Sequence, residues 1–141
     1  MDNNQEYESL VTPSYWHVVF VGRPFRHWFD IFSPSWARHV FAYAYLLKYD
    51  KWVIVDPLHN KTAIMMLDNP DMDAYLDTIE AVGTKIYTVA AEEGSVYSGR
   101  LLQTCSSVVL RIIGLKGSAC TPRGLIKILE RNNAKVRTIK P

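Results

Sequence analysis

The stretch His39 to Asp56, HVFAYAYLLKYDKWVIVD, decides the fold class. Two runs rich in aromatic and β-branched residues, His39–Leu46 and Trp52–Asp56, flank the polar Lys48-Tyr49-Asp50. That is the pattern of two strands joined by a tight turn, hence an antiparallel hairpin. Side chains alternate across a strand, so His39, Phe41, Tyr43 and Tyr45 share one face and Val40, Ala42, Ala44 and Leu46 the other. Pro57 ends the second strand.

Toward the N-terminus, Tyr15–Val21 (YWHVVFV) reads as a first strand, stopped by Gly22-Arg23-Pro24. Phe25–Trp36 is aromatic and broken by Pro34, which predicts a short helical turn or a loop packed on the core. Residues 1–13 form a polar, flexible lead and 14–141 a single domain. Toward the C-terminus, Thr62–Leu67 is a fourth strand, ended by Asp68-Asn69-Pro70. Asp71–Val82 fits a helix: Asp71 and Asp73 lie at its positive end, Met72, Leu76 and Ile79 make a stripe, and Gly83 follows. Ile86–Ala90 is a fifth strand. A polar loop, Glu92–Arg100, leads to a second helix, Thr104–Ile113, closed by Gly114, with Val108, Val109, Ile112 and Ile113 as its anchoring stripe. Thr121 as cap and Pro122 in the first turn open a third helix, whose Leu125, Ile128 and Leu129 point inward. Val136–Ile139 reads as a last edge strand. Strands fill the first half and helices the second. The class is therefore α+β: an antiparallel sheet of about five strands packed against helices, not a doubly wound sheet.

At 141 residues, 48% hydrophobic and 21% charged, the chain has the composition of one ordinary globular domain able to bury a core without staples. Sixteen basic residues against 14 acidic leave a net charge of +2, which gives no electrostatic reason to expect a nucleic-acid partner. Two cysteines, Cys105 and Cys120, make no disulfide framework. No run is long and apolar enough for a membrane span, and the polar Met1–Ser9 stretch is no secretory signal. The expected setting is the cytoplasm, or a site reached by riding on another component.

Chemistry centres on three residues. A nucleophilic cysteine needs a lowered pKa, and a helix N-terminus supplies part of that shift. Thr104 as cap places Cys105 in the first helical turn. Cysteine is also a common small apolar core residue, and Cys105 precedes Val108 and Val109 at stripe spacing, so packing explains it equally well. His39 opens one strand of the hairpin and Asp56 closes the other. With the turn near Lys48 they fall opposite or one diagonal step apart on the same face, roughly 5–8 Å apart. An imidazole–carboxylate bond there would fix the tautomer and stabilise the imidazolium. The competing reading makes His39 a half-exposed strand-end residue and Asp56 the start of an Asp-Pro turn.

A hairpin with His at the head of one strand and a polar residue on the next, joined to a Cys at the head of a helix, resembles the papain-like fold of NlpC-type cell-wall peptidases. Their usual order is Cys, His, polar residue. The order here, His39, Asp56, Cys105, resembles the circularly permuted branch that includes the lecithin retinol acyltransferase-like proteins. The segments RHVFAYAY, WVIVDPLHN, QTCSSVVLRIIGL and TPRGLIKIL also look like those of small bacteriophage proteins, over about residues 15–130. The resemblance implies a thiol hydrolase with Cys105 as nucleophile, His39 as base and Asp56 as orienting group. It implies a peptide or cell-wall peptide substrate and, for a virion component, phage structural proteins as partners. The acyltransferases carry Asn-Cys-Glu-His where this chain has Thr104-Cys105-Ser106-Ser107, which removes the basis for expecting acyl transfer. The alternative is a non-catalytic virion or interaction protein on the same scaffold, docking through Tyr7, Tyr15, Tyr97, Trp28 and Trp36.

The remaining motifs carry less. His17 either lines a site or is a satisfied sheet residue, His27 sits in the aromatic segment, and His59 follows Asp56-Pro57. The histidines and cysteines lack zinc-ligand spacing, and Gly22, Gly83, Gly94 and Gly99 make no phosphate loop, so no metal or cofactor is expected. Cys120, just before the third helix, reads as structural. Arg23, Arg26 and Arg38, interleaved with Phe25, Trp28 and Trp36, form either a basic-aromatic partner surface or a set of core aromatics with solvated arginines.

Overall fold

The computed structural model describes residues 13–22, 34–58, 61–81, 84–91 and 104–139. The chain order is β1 (Tyr15–Val21), β2 (His39–Leu46), β3 (Lys51–Pro57), β4 (Thr62–Leu67), α1 (Asn69–Glu80), β5 (Thr84–Ala90), α2 (Cys105–Ile112), α3 (Pro122–Arg131) and β6 (Lys135–Ile139). The strands form one six-stranded sheet in the order β4-β3-β2-β1-β5-β6, antiparallel at every pairing. The class is α+β. The sheet has six strands rather than about five, because the C-terminal edge segment pairs along β5.

The hairpin that decides the fold turns through a single 3-10 turn, Leu47–Tyr49, and Asp50 adopts a left-handed conformation with φ 50°. Aspartate tolerates that conformation better than most residues. Its carboxylate also accepts the Tyr45 hydroxyl. The turn fixes the register, pairing Ala42 with Val55, Tyr43 with Ile54 and Tyr45 with Trp52.

Helices cover both faces. On one face α2 and α3 pack over Trp16, Val18, Phe20, Val40, Ala42, Ala44 and Val55. On the other, α1 lays Met72 and Ile79 against Val19, Phe41, Tyr43, Ile54 and Ile86. This explains why β2 is apolar on both sides: it is a central strand, with every residue from Val40 to Ala44 buried. The inward residues of α3, Leu125, Ile128 and Leu129, are buried as its spacing predicts.

Several boundaries move. α1 begins at Asn69, not Asp71, so Asp68-Asn69-Pro70 both ends β4 and starts the helix. Asp68 is the extended residue ahead of it, its carbonyl takes the Met72 N–H at 2.9 Å, and Pro70 sits in the first turn, where its missing N–H costs nothing. The helix ends at Glu80; Val82 and Gly83 lie outside the described residues. Pro57 does not stop β3 short but takes the last ladder position, opposite Thr62. The anchoring stripe of α2 is also rotated. Ser106, Val109, Leu110 and Ile113 are buried, whereas Val108 and Ile112 are only half-buried. A reading by apolar residues skips Ser106, the residue that completes the inner face.

Gly22 ends β1 for a steric reason: a side chain there would meet the Ser35 carbonyl oxygen at 2.9 Å. Trp36 stands edge-on to Phe20 with the Lys85 ammonium 4.0 Å from its ring centre, so it is part of the packing between β1 and β5. The polar lead up to residue 12, the aromatic segment from Arg23 to Ser33 and the Glu92–Arg100 loop lie outside the described residues.

Candidate active site

The head of α2 is built by a reciprocal cap. The Ser107 N–H donates to Thr104 Oγ1 at 3.2 Å, and the Thr104 N–H donates to Ser107 Oγ at 2.9 Å. Both residues of the box are hydroxyl-bearing, and each satisfies a donor that a helix start leaves unpaired. Thr104 is thereby held extended and Cys105 becomes the first helical residue. At the other end, Gly114 takes φ 78°, the left-handed stop that glycine supplies without strain.

β2 delivers the histidine. The Arg38 N–H bonds the Val21 carbonyl at 3.1 Å, and His39 pairs with Val21 as the first rung of the β1–β2 ladder. Continuing the β2–β3 register places Asp56 beside Phe41, one diagonal step from His39 on the same face. The side chains meet there: His39 Nε2 lies 2.6 Å from Asp56 Oδ1. Each is about one-fifth exposed, enough shielding to strengthen the pair without isolating it from solvent. The Phe41 ring, 6.3 Å from that of His39, stands beside the histidine on this face of the sheet, and Tyr75 of α1 meets Phe41 edge-on.

The Cys105 side chain hydrogen-bonds the His39 ring and takes the Val40 backbone amide as a further donor. The structure therefore brings Asp56, His39 and Cys105 into one line, with a half-buried thiol at its end.

The electrostatics follow from that line. Burial pushes the Cys105 thiol up. The hydrogen bond and charge of His39, the Val40 amide and the Ser106 hydroxyl outweigh it and hold the thiol below its ordinary value. Burial likewise works against a charged His39, but the bonds to Asp56 and Cys105, together with their charges, raise its pKa to about 9. The helix dipole acts in the same direction on the sulfur. Both shifts favour a thiolate facing an imidazolium, and the two groups titrate as a pair.

The other candidates separate from this cluster. His17 Nδ1 lies 2.9 Å from Thr88 Oγ1 and its ring stacks on Tyr43 at 4.7 Å. Burial, then the charge of Arg137, keeps it below the usual histidine value. It is a satisfied sheet residue. Cys120 is exposed, both cysteines are free thiols, and the neighbouring Thr121 is occupied in capping α3 through the Gly124 N–H at 3.1 Å. His27 and His59 lie outside the described residues, as do Arg23, Phe25, Arg26 and Trp28. Among the described residues no three His, Cys, Asp or Glu side chains converge as metal ligands, and no helix is long and apolar enough to cross a membrane.

Sequence reasoning missed one member of the cluster. Ser106 is wholly buried beside Cys105, and its hydroxyl makes no hydrogen bond of ordinary geometry among the described residues. The available signal was a serine at the stripe position three and four residues before Val109 and Leu110.

No protein-family model matches the chain, and comparison with curated proteins and with solved structures gives no significant match.

Proposed function

We propose that this protein is a thiol hydrolase on a circularly permuted papain-like scaffold, with Cys105 as nucleophile, His39 as acid and base, and Asp56 as orienting group. One observation carries the reading: a single hydrogen-bonded line from Asp56 through His39 to Cys105, with the thiol shifted down and the imidazole shifted up. A packing cysteine has no use for that pairing. Perturbed groups brought together in this way mark functional sites more often than structural ones.

The chemistry follows from the geometry. The Cys105 thiolate attacks a carbonyl carbon, and the carbonyl electron pair moves onto oxygen. The N–H groups of Cys105 and Ser106, at the start of α2 where no intrahelical acceptor precedes them, would hold that oxyanion. The His39 imidazolium gives its proton to the leaving amine or alcohol as the C–N or C–O bond breaks, leaving a thioester. Neutral His39 then takes a proton from water, water attacks the thioester, and the electron pair returns to sulfur. Asp56 keeps the ring oriented and stabilises its cationic form throughout. Peptide bonds of bacterial cell wall are the substrate class that the permuted order and the phage-like segments favour.

The second reading, a non-catalytic virion or interaction module, is favoured by Tyr15, which stands 58% exposed at the edge of the aromatic sheet face. The experiment that separates the two is digestion of purified cell wall, with release of peptide fragments followed by mass spectrometry. The wild type is expected to release fragments, Cys105→Ala to release none, and Asp56→Asn to be slower by about 10²–10⁴-fold. A wild-type protein with a reactive Cys105 that cleaves neither cell wall nor activated peptide esters would overturn the hydrolase reading in favour of the module.

A further inference from the structure

The α2 stripe places one polar group where a hydrophobe belongs. Ser106 is 0% exposed, faces the core with Val109, Leu110 and Ile113, and its hydroxyl has no partner of ordinary geometry among the described residues. Helix serines commonly bond back to their own turn, and buried hydroxyls nearly always find an acceptor. Among the described residues this one does neither, and it sits immediately after the nucleophile. The neighbouring hydroxyls behave differently: Thr104 and Ser107 are both consumed by the capping box.

We propose that the Ser106 hydroxyl is a dedicated donor to the Cys105 sulfur: buried without an acceptor at the head of α2, it is satisfied only when that sulfur carries negative charge. A neutral thiol is a weak acceptor and leaves the hydroxyl poorly paired. A thiolate is a strong one, and a charge-assisted bond in a shielded site is stronger still. Ser106 thus acts with the other groups that face the sulfur: the His39 ring from β2, backed by Asp56 of β3 with Tyr75 of α1 near it, and the Val40 amide. Its catalytic use rests on the thiol-hydrolase reading. Acylation turns the thiolate into a neutral thioester sulfur and breaks the bond; hydrolysis returns the electron pair to sulfur and restores it.

The test is the pH dependence of iodoacetamide alkylation on the full chain. Modification of Cys105 is scored by peptide mass so that the exposed Cys120 is counted separately. Ser106→Ala is expected to raise the midpoint by about one pH unit, hence to slow alkylation about tenfold below it. Below the thiol midpoint its melting temperature is expected to equal or exceed that of the wild type, because alanine is the better helix former and the unpaired hydroxyl is gone; above the midpoint the lost bond to the thiolate lowers it. An unchanged midpoint in Ser106→Ala while His39→Ala shifts it would overturn the donor role and leave the hydrolase reading standing. Unchanged midpoints in both variants would overturn both. A shift in Ser106→Ala alone would uphold the donor and remove His39 from the site.

Discussion

Folding shifts the pKa values of His39 and Cys105 in opposite directions, and those shifts have a thermodynamic signature. Folding raises the His39 pKa from 6.5 to about 9, so the stability it contributes is complete below pH 6.5 and is lost as pH rises through about 9. Folding lowers the thiol, so Cys105 contributes with the opposite slope: present above the unfolded thiol value and lost as pH falls through the folded one. In the wild type the two slopes offset each other where their pH windows overlap. Cys105→Ala removes the second and leaves the first, still supported by Asp56 at 2.6 Å. The expected outcome is a melting temperature that falls more steeply with rising pH above 6.5 in Cys105→Ala than in the wild type. Calorimetry across pH 6–9 measures it, and parallel curves would mean that His39 gains no proton on folding.

Among the elements, α2 has the most demanding start. Its first residue is the proposed nucleophile, and the capping box alone fixes where the helix begins. Thr104→Ala removes the Oγ1 acceptor of the Ser107 N–H and should lower stability by about 1 kcal/mol in denaturant titration. The alkylation rate of Cys105 should fall further than that loss explains, because the thiol leaves its place against His39 and the helix end. Thr104→Ser, which restores the acceptor, should recover both. α3 provides the contrast: its cap Thr121 follows an exposed cysteine, and Cys120→Ser is expected to leave alkylation of Cys105 and stability unchanged.

At the scale of the whole molecule, one sheet separates two cores. The larger lies under α2 and α3 and the smaller under α1. The Asp56–His39–Cys105 cluster is assembled across elements of both. His39 and Asp56 point to the α1 face, Cys105 arrives on a helix from the other face, and they meet at the end of β2, where the sheet no longer stands between them. The site therefore depends on the α2–α3 layer staying seated. Leu129 of α3 is fully buried in that layer, so Leu129→Ala should cost about 2–5 kcal/mol with an unchanged denaturant slope. Val136 on edge strand β6 is exposed, and Val136→Ala should stay within about 0.5 kcal/mol. A Leu129→Ala loss no larger than that of Val136→Ala would mean that this core does not anchor α3.

Local patterns carried much of this into the open. The alternation of HVFAYAYL and the polar turn after it imply a hairpin. Its parity puts His39 and Asp56 on one face within a diagonal step, because strand geometry makes register a matter of counting. Thr104 and Thr121 announce helix starts because a hydroxyl at that position has one use, accepting an orphan N–H. Long-range choices were not legible. Periodicity cannot say which helix covers which face, and it passed over Ser106 because a polar residue on a buried stripe is invisible to a hydrophobic pattern. Nor does any spacing relate residue 105 to residue 39. Their contact depends on α2 crossing the sheet to the head of β2, a placement set by the packing of Val109, Leu110 and Ile113 on Val40 and Ala42. The sequence by itself thus determined the elements and the His39–Asp56 pair, since both arise from short-range geometry. Only the tertiary structure decided that the thiol joins them and that its pKa falls, since both depend on burial and charge between groups far apart in the chain.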